Sequence, residues 1–287
     1  MQFLGTGAAD AIPNPFCTCT ICRDARLNPN HTRLRSMFLL DKTSLIDCGP
    51  DLAAACMINT VELDQLSQVF VTHTHEDHFY PSNVGLLMMS RTRGGQPVDV
   101  YLSHMALAVI DSLLNALESN SHLDAIKAYN LGVIRFKPVK ADIPFHAGGY
   151  RVIPVETTHR VSQLENAYNY MFETPQGKRL LYACDTGLYP ENALKALSGC
   201  KVDILVMEVT FGLRTDNDLQ SHLNGQGFLH MLNLMIDREI IYSNTQIYAT
   251  HINHKHDGTP PILQAWFDNN SPLPVKVAND GMILNFT

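Results

Sequence analysis

The chain has 287 residues, of which 45% are hydrophobic and 17% are charged. These values are typical of a folded protein with a large buried core, and they exclude a disordered chain. The formal net charge of −7 provides no overall positive field for a long polyanion, so nucleic acid is disfavoured as a partner, although a local basic patch would still allow it. The sequence has no apolar run long enough to cross a bilayer and no signal-peptide pattern at its start, which predicts a cytoplasmic protein without a membrane partner.

Strand-like and helix-like segments alternate along the whole chain without a Pro/Gly/Ser-rich linker, which predicts a single domain over 1–287. Each half contains strands followed by helices, an order that suits two sheets packed face to face and covered by helices. The predicted fold class is therefore α/β, with a four-layer αββα sandwich. The segment 103–131 has helical periodicity and no candidate ligand, and it is interpreted as a helical insertion. The predicted strands are 37–41, 44–47, 68–72, 98–102, 151–156, 168–173, 179–183, 203–209, 246–250 and 282–286, and the predicted helices are 82–91, 105–117, 190–197, 225–236 and 260–267.

The first 30 residues contain two unusual features. Gly5 and Gly7 follow a very short first strand, where glycine lets the backbone approach a site or a phosphate closely. Cys17, Cys19 and Cys22 form a cluster too tight for independent disulfides, in a chain with seven cysteines. In a reducing compartment this cluster indicates metal ligands.

The strongest chemical signal follows the predicted strand at 68–72. Four metal-capable side chains, those of His73, His75, Asp77 and His78, lie within six positions. His73 and His75 alternate along an extended segment and can point the same way, whereas the last two can reach a second ion from the loop. Imidazole and carboxylate ligands suit Zn²⁺, Mn²⁺ or Fe²⁺. The H-x-H-x-D-H spacing therefore predicts a site for two divalent ions.

This spacing resembles the signature of the metallo-β-lactamase superfamily, in which further metal ligands follow later strands. His159, Asp185 and His251 each follow an apolar run and match those positions. A bridging carboxylate at Asp185 favours phosphoester chemistry, because two close cations can contact one hydroxide and one phosphoryl oxygen. The neighbouring Cys184 is interpreted as a core residue that points away, on the assumption that strand geometry continues to it. The resemblance implies one ion held by His73, His75 and His159 and another by Asp77, His78 and His251, with Asp185 as the bridge.

Together with Asp47-Cys48-Gly49, the N-terminal glycines and the cysteine cluster extend the resemblance over nearly the whole chain. They resemble the PhnP-like branch of the superfamily, which comprises phosphoribosyl cyclic phosphodiesterases associated with C–P lyase and is related to the tRNA 3′-processing endonucleases. A Cys₃His set of this branch is closed and tetrahedral, hence a structural zinc site. Members of the branch also pair, which implies a homodimer. The implied ligands of the structural zinc are Cys17, Cys19, Cys22 and His254, with His256 as the alternative histidine.

His222 matches a histidine that this branch shares with the endonucleases and that is not a metal ligand. The resemblance implies that His222 protonates the leaving oxygen and that Glu208 orients it and raises its basicity. The predicted catalytic residues are therefore His222, Glu208 and Asp77, of which Asp77 is also a metal ligand.

These features predict a metal-dependent hydrolase that cleaves a small cyclic or nucleotide-like phosphodiester through a hydroxide shared by two cations. A tRNA 3′-processing endoribonuclease is the alternative, but 189–202 lacks the basic Gly/Pro-rich arm by which those enzymes recruit tRNA, unless such an arm lies within 103–131. A non-catalytic metal-binding protein of cofactor or phosphonate metabolism is a third possibility. The complete ligand set and His222 argue against it.

Overall fold

The computed structural model describes residues 1–91, 96–117, 132–256 and 258–285 of the chain. Within these ranges the strands form two sheets, one of six and one of seven strands. The first sheet has the order β1-β2-β3-β4-β5-β6, in which β1 to β3 are antiparallel and β3 to β6 are parallel. Its strands are β1 (Gln2–Gly5), β2 (Met37–Asp41), β3 (Ser44–Ile46), β4 (Gln68–Phe70), β5 (Val98–Ser103) and β6 (Ile134–Val139).

The second sheet has the order β13-β12-β11-β10-β9-β8-β7, with an antiparallel half from β7 to β10 and a parallel half from β10 to β13. Its strands are β7 (Phe145–Ala147), β8 (Tyr150–Arg160), β9 (Asn166–Glu173), β10 (Arg179–Ala183), β11 (Ile204–Glu208), β12 (Gln246–Thr250) and β13 (Val275–Val277). The described helices are α1 (Thr20–Leu27), α2 (Leu52–Asn59), α3 (Pro81–Arg91), α4 (His104–Leu117), α5 (Glu191–Leu197), α6 (Gly225–Asp237) and α7 (Pro260–Asn270).

Three apolar clusters define the layers. In the middle cluster, Phe70 of the first sheet packs edge-on against Phe172 of the second sheet at 4.9 Å between ring centroids. Neighbouring residues on each strand face the other way, because strand side chains alternate. Val69 thus packs outward in the cluster of α2, α3 and α4, and Leu181 packs outward in the cluster of α1, α5, α6 and α7. The predicted four-layer sandwich is confirmed.

The structure differs from the predicted elements at several places. The predicted strand at 282–286 is wrong over its described part, because after the left-handed Gly281 only Ile283 forms a bridge, with Gln2. The strands β6, β7 and β13 and the helices α1 and α2 were not predicted.

Of the segment interpreted as an insertion, the described part ends at Leu117: Ser103 is the last residue of β5, and the residues after it form α4. Ala106 and Ile110 of this helix are buried in the outer cluster of the first sheet. The segment 118–131 lies outside the described residues, so the insertion and the single domain stay predictions. Among the helices that are described, none combines the length and apolar character needed to span a bilayer.

Candidate metal centre

The segments that follow β4, β10 and β12 and the end of β8 meet at one edge of the sandwich. Three residues there, Asp47 after β3, Asp185 after β10 and His251 after β12, have left-handed backbones with φ of 63°, 52° and 54°. Asp and His tolerate this conformation better than most residues, and such strain concentrates at functional sites. A left-handed residue redirects the chain at the strand end and aims the next side chain away from the sheet pleat.

One group of side chains contains three histidines. His73 Nε2 lies 3.0 Å from His75 Nδ1, and His159 Nε2 lies 3.2 Å from the same atom. Ligand atoms around a tetrahedral Zn²⁺ with Zn–N bonds of roughly 2.0–2.1 Å are separated by about 3.3 Å. The spacing therefore fits the coordination shell of one divalent ion.

A second group lies beside the first and contains His78, His251, Asp77 and Asp185. His78 Nε2 is 3.3 Å from His251 Nε2 and 3.2 Å from Asp77 Oδ2. Asp185 faces both groups: its Oδ2 lies 2.5 Å from His78 Nε2 and 3.7 Å from His73 Nε2, and its Oδ1 lies 3.3 Å from His251 Nε2. The carboxylate thus occupies the position that a bridging ligand requires.

Buried hydrogen bonds orient the histidines of the first sheet. The Asp47 carboxylate accepts from Thr72 N at 2.8 Å, from Thr72 Oγ1 at 2.9 Å and from His78 Nδ1 at 2.7 Å. Because the Thr72 hydroxyl gives its single proton to Asp47, its oxygen accepts from Nδ1 of His73 at 3.0 Å. Both histidines therefore turn Nε2 toward the candidate metal positions.

The histidines of the second sheet are held in the same way. The Thr210 hydroxyl donates to Glu208, so its oxygen accepts from Nδ1 of His251 at 2.8 Å. His159 donates from Nδ1 to the carbonyl oxygen of Ser221 at 3.0 Å. Partners of this kind on the outer ring nitrogen are typical of metal-bound histidines.

These contacts test whether the residues fit a divalent ion. The Nε2 lone pairs of His73, His159 and His251 converge with carboxylate oxygens, and Asp185 Oδ2 is buried without a hydrogen-bond donor. Acceptors that converge without donors are unfavourable in a buried site unless a cation compensates them. The seven side chains predicted as catalytic-metal ligands are therefore brought together in a set that suits a pair of divalent ions.

Burial and neighbouring charges shift the pKa values of the titratable groups of the site in different directions. Burial lowers the pKa of His73 well below its ordinary value. Burial also lowers the pKa of His78, but the charges of Asp185, Asp77 and Asp47 outweigh it and raise that pKa well above its ordinary value. For Asp185, burial raises the pKa, whereas the charges of His251 and His78 lower it well below the usual range of a carboxyl. Negative charge is thus concentrated at the bridging position.

His222 lies at the edge of both groups. Its Nδ1 is 3.0 Å from Glu208 Oε1 and 3.3 Å from Asp185 Oδ1, and its side chain keeps 20% of its exposure. Glu208 is fully buried and also accepts from the backbone amides of Thr186 and Leu223. Burial lowers the pKa of His222, but the charge and hydrogen bond of Glu208 outweigh it and raise the pKa to about 9. The predicted pairing of Glu208 with His222 is present in the geometry.

The cysteine cluster lies beside the C-terminal part of the chain. The ligand atoms of Cys17, Cys19, Cys22 and His254 all lie within 4.8 Å of one another, and Cys19 Sγ is 3.7 Å from His254 Nδ1. Two backbone amides, of Asn14 and Cys19, donate to cysteine sulfurs at 3.4 Å. The structure therefore groups His254 with the three cysteines. His256 instead packs against Gly212, where a Cβ would meet its ring at 2.4 Å.

Sequence reasoning missed several residues of the site. Asp47, Thr72 and Thr210 were not assigned as hydrogen-bond partners, and Gly49 is required because an added Cβ would lie 2.1 Å from the carbonyl oxygen of Asp77. Cys184 is buried between the sheets as expected, yet its sulfur also lies within 4.8 Å of ligand atoms of the second group, because the left-handed Asp185 ends the strand geometry.

Comparisons with known proteins identify the class. A family model described as the beta-lactamase superfamily domain matches residues 42–252. The chain belongs to the metallo-β-lactamase superfamily and has its fold.

The chain also resembles individual proteins. A crystal structure titled as a new diphosphatase from the PhnP family has a TM-score of 0.73 and 21% identity, covering 100% of this chain and 97% of that one. An octanoyltransferase of Porphyromonas gingivalis is 29% identical over 162 residues, 54% of this chain and 30% of the relative. A ribonuclease Z of Crocosphaera subtropica is 29% identical over 127 residues, 44% of this chain and 36% of the relative. The match thus spans about a third of each curated relative.

Proposed function

We propose that the protein is a metal-dependent phosphodiesterase that hydrolyses a small cyclic or nucleotide-like phosphodiester. The observation that carries the proposal is the Asp185 carboxylate between the His73 group and the His78 group. Two divalent ions held there, Zn²⁺ or Mn²⁺ with Fe²⁺ as a further candidate, would when bound supply an ionised water and neutralise phosphate oxygens. The similarity to a structure titled as a PhnP-family diphosphatase supports phosphoester chemistry.

In this proposal His222 is the proton donor. Glu208 accepts the hydrogen bond from Nδ1, which leaves Nε2 as the nitrogen that can deliver a proton to the leaving oxygen. Four donors besides His222 hold the Glu208 carboxylate: the amides of Thr186, Thr210 and Leu223 and the Thr210 hydroxyl. The orientation of the imidazole is therefore fixed before any substrate binds.

Endonucleolytic processing of tRNA is the second candidate, and the likeness to ribonuclease Z favours it. The formal charge of −7 favours a small substrate instead, because tRNA binding depends on neutralising many phosphates with Lys and Arg. Salt-sensitive binding of tRNA would reverse this preference.

The test is hydrolysis of bis(p-nitrophenyl) phosphate and of a panel of cyclic phosphodiesters after loading with Mn²⁺ or Zn²⁺, in parallel with cleavage of a pre-tRNA. The proposal expects turnover of small diesters, its loss with metal in Asp185→Asn, and no cleavage of pre-tRNA. Full metal occupancy without hydrolysis of any of these substrates would contradict it and support a non-catalytic metal-binding role.

We also propose that Cys17, Cys19, Cys22 and His254 hold a structural zinc, because the four ligand atoms form a compact set without a position for substrate. A homodimer is proposed from the likeness to the PhnP-like branch alone. Light scattering of the purified chain tests it, and a monomer at micromolar concentration would contradict it.

A further inference from the structure

The turn between β8 and β9 contacts the metal-binding loop of the other sheet through one carboxylate. Glu165, which is 1% exposed, accepts from Thr74 N at 3.0 Å and from Thr74 Oγ1 at 2.5 Å. Thr74 lies between His73 and His75, two of the three histidines of the first group. One buried side chain therefore fixes the only residue that separates these two candidate ligands.

The same turn carries the third histidine of that group. His159 lies six positions before Glu165 at the end of β8, and the turn between them is closed by its own hydrogen bonds. The carbonyl oxygen of Glu165 accepts from Val161 N at 2.9 Å and from Ser162 N at 3.2 Å, and Glu165 N donates to Ser162 Oγ at 3.1 Å. Glu165 and His159 are thus parts of one small hydrogen-bonded unit.

Two neighbouring contacts also join the second sheet to the segment that follows β4. Tyr170 on β9 donates its hydroxyl to the carbonyl oxygen of Val71 at 2.9 Å, and Tyr168 N donates to the carbonyl oxygen of Thr72 at 2.9 Å. The contact between Glu165 and Thr74 is the next one along the same segment, and it lies at the level of the histidines. The segment after β4 is therefore fastened to the second sheet up to the candidate metal position.

We propose that Glu165 is a positioning residue that sets the separation between the His73–His75 pair and His159, and through it the affinity of the three-histidine site for its metal. The proposal rests on the proposed metal centre and is independent of the substrate. Among the hydrogen bonds of the described residues, Glu165 bonds to Thr74 and to its own turn and to no candidate metal ligand. Its carboxylate is suited to this role because each of its oxygens accepts one of the two donors of Thr74, whereas a glutamine amide offers a single acceptor oxygen.

The experiment titrates the metal-free full-length chain with Co²⁺ and follows absorption in the visible range. Thiolate-to-cobalt bands report the cysteine site, and the d–d bands that arise without them report the histidine site. The altered variant is Glu165→Gln. The matched control is Glu156→Gln, because Glu156 lies on the same hairpin and accepts only from Asn166 at 3.2 Å among the bonds described for its side chain.

We expect Glu165→Gln to weaken Co²⁺ binding at the histidine site by about 10- to 100-fold, the usual effect of losing a partner outside the ligand shell. The cysteine site and the Glu156→Gln control should keep the parent's affinity. Thr74→Ser, which retains both donors, should also bind like the parent, and Thr74→Val, which loses the hydroxyl, should be weakened. If Glu165→Gln does not fold, the comparison of Thr74→Ser with Thr74→Val tests the proposal.

Unchanged Co²⁺ affinity and d–d bands in Glu165→Gln and in Thr74→Val would overturn the proposal, as would equal weakening in Glu156→Gln. The result of the cobalt titration is independent of whether the proposed reaction is correct. A parent chain that binds metal at the histidine site but hydrolyses no phosphodiester would contradict the proposed reaction, and the cobalt titration would still test Glu165.

Discussion

Replacing His222 by Gln should remove the proposed proton donor without disturbing the fold or the candidate metal ligands. The side chain lies at the edge of the site with 20% exposure, and its one strong contact is the 3.0 Å hydrogen bond from Nδ1 to Glu208. The Glu208 carboxylate loses the imidazolium but keeps four other hydrogen-bond donors after the change, so it is not left without partners. The free energy of unfolding should therefore fall by about 1.5–3 kcal/mol, the range for one hydrogen bond to a charged group.

The effect on turnover should be much larger, and it should depend on the leaving group. General acid catalysis contributes roughly 10²–10⁴-fold, so hydrolysis of a diester with a poor alkyl leaving group should slow by about that factor. Bis(p-nitrophenyl) phosphate releases a stable phenolate and needs little protonation, so its rate should fall much less.

Steady-state kinetics on both diesters, with elemental analysis of each sample, is the measurement. His230→Gln serves as the control, because His230 is exposed on α6 away from the clustered side chains. An equal loss for good and poor leaving groups would refute the assignment of His222 as a proton donor. Loss of metal from His222→Gln would refute the premise that it is not a ligand.

Three further outcomes follow from other parts of the molecule. Elemental analysis should find about three divalent ions per chain, and Cys22→Ser should lose about one of them together with some thermal stability. Phe70→Ala should lower the free energy of unfolding in urea by about 3–5 kcal/mol, because Phe70 is fully buried between the sheets against Tyr101 and Phe172. Burial raises the pKa of Asp280 from its ordinary value near 3.8 to about 6. The stability that this group contributes is therefore complete at low pH and is lost as the pH rises through 6. Because a shift of this size corresponds to about 3 kcal/mol, Asp280→Asn should be less destabilising by about that amount at about pH 7 than at about pH 3 in denaturant titrations.

The sequence predicted the strands that are buried on both faces and the helices that bury one continuous apolar stripe. The strand β10 was predicted with its observed ends, and α6 was predicted to within one residue, because their apolar patterns are strong. The missed strands are short or lie at sheet edges: β7 and β13 have three residues each, and β6 is the last strand of the first sheet and contains Pro138. Edge strands bury little apolar surface, so periodicity marks them weakly.

The helices α1 and α2 were not predicted, for two different reasons. The helix α2 is apolar on most sides and fully buries only Ala55, so its residues show no clear amphipathic stripe. In α1 the cysteines obscured the local signal: Cys19 is the N-cap, and its sulfur accepts from the backbone amide of Cys22. A residue that is interpreted as a metal ligand can also cap a helix, and the spacing of ligands alone does not reveal that second role.

The candidate ligands could be predicted from the sequence because each of these His and Asp residues follows an apolar run that is recognisable as a strand. Their hydrogen-bond partners could not be predicted. Asp47 lies 31 positions before His78, and Glu208 lies 43 positions before His251, which it reaches through Thr210. Nothing local marks Thr72 or Thr210 as acceptors from histidine. Only the pairing of neighbouring strands within each sheet, β3 with β4 and β11 with β12, brings these carboxylates beneath the histidines and determines which ring nitrogen faces the candidate metal positions.

The carboxylates of Asp47 and Glu208 play the same part in the two sheets: each orients histidines of its own sheet, together with a threonine. Asp47 and Thr72 orient histidines of the first sheet, and Glu208 and Thr210 orient His251 and, through Glu208, His222. Candidate ligands from both sheets converge on Asp185, so ions bound there would connect the sheets at the edge where strands have ended and backbone pairing stops. Binding to the folded chain alone stabilises it in proportion to the logarithm of metal concentration over the dissociation constant. The thermal stability of this edge should therefore depend on metal, whereas the aromatic layer between the sheets supplies stability that is independent of it.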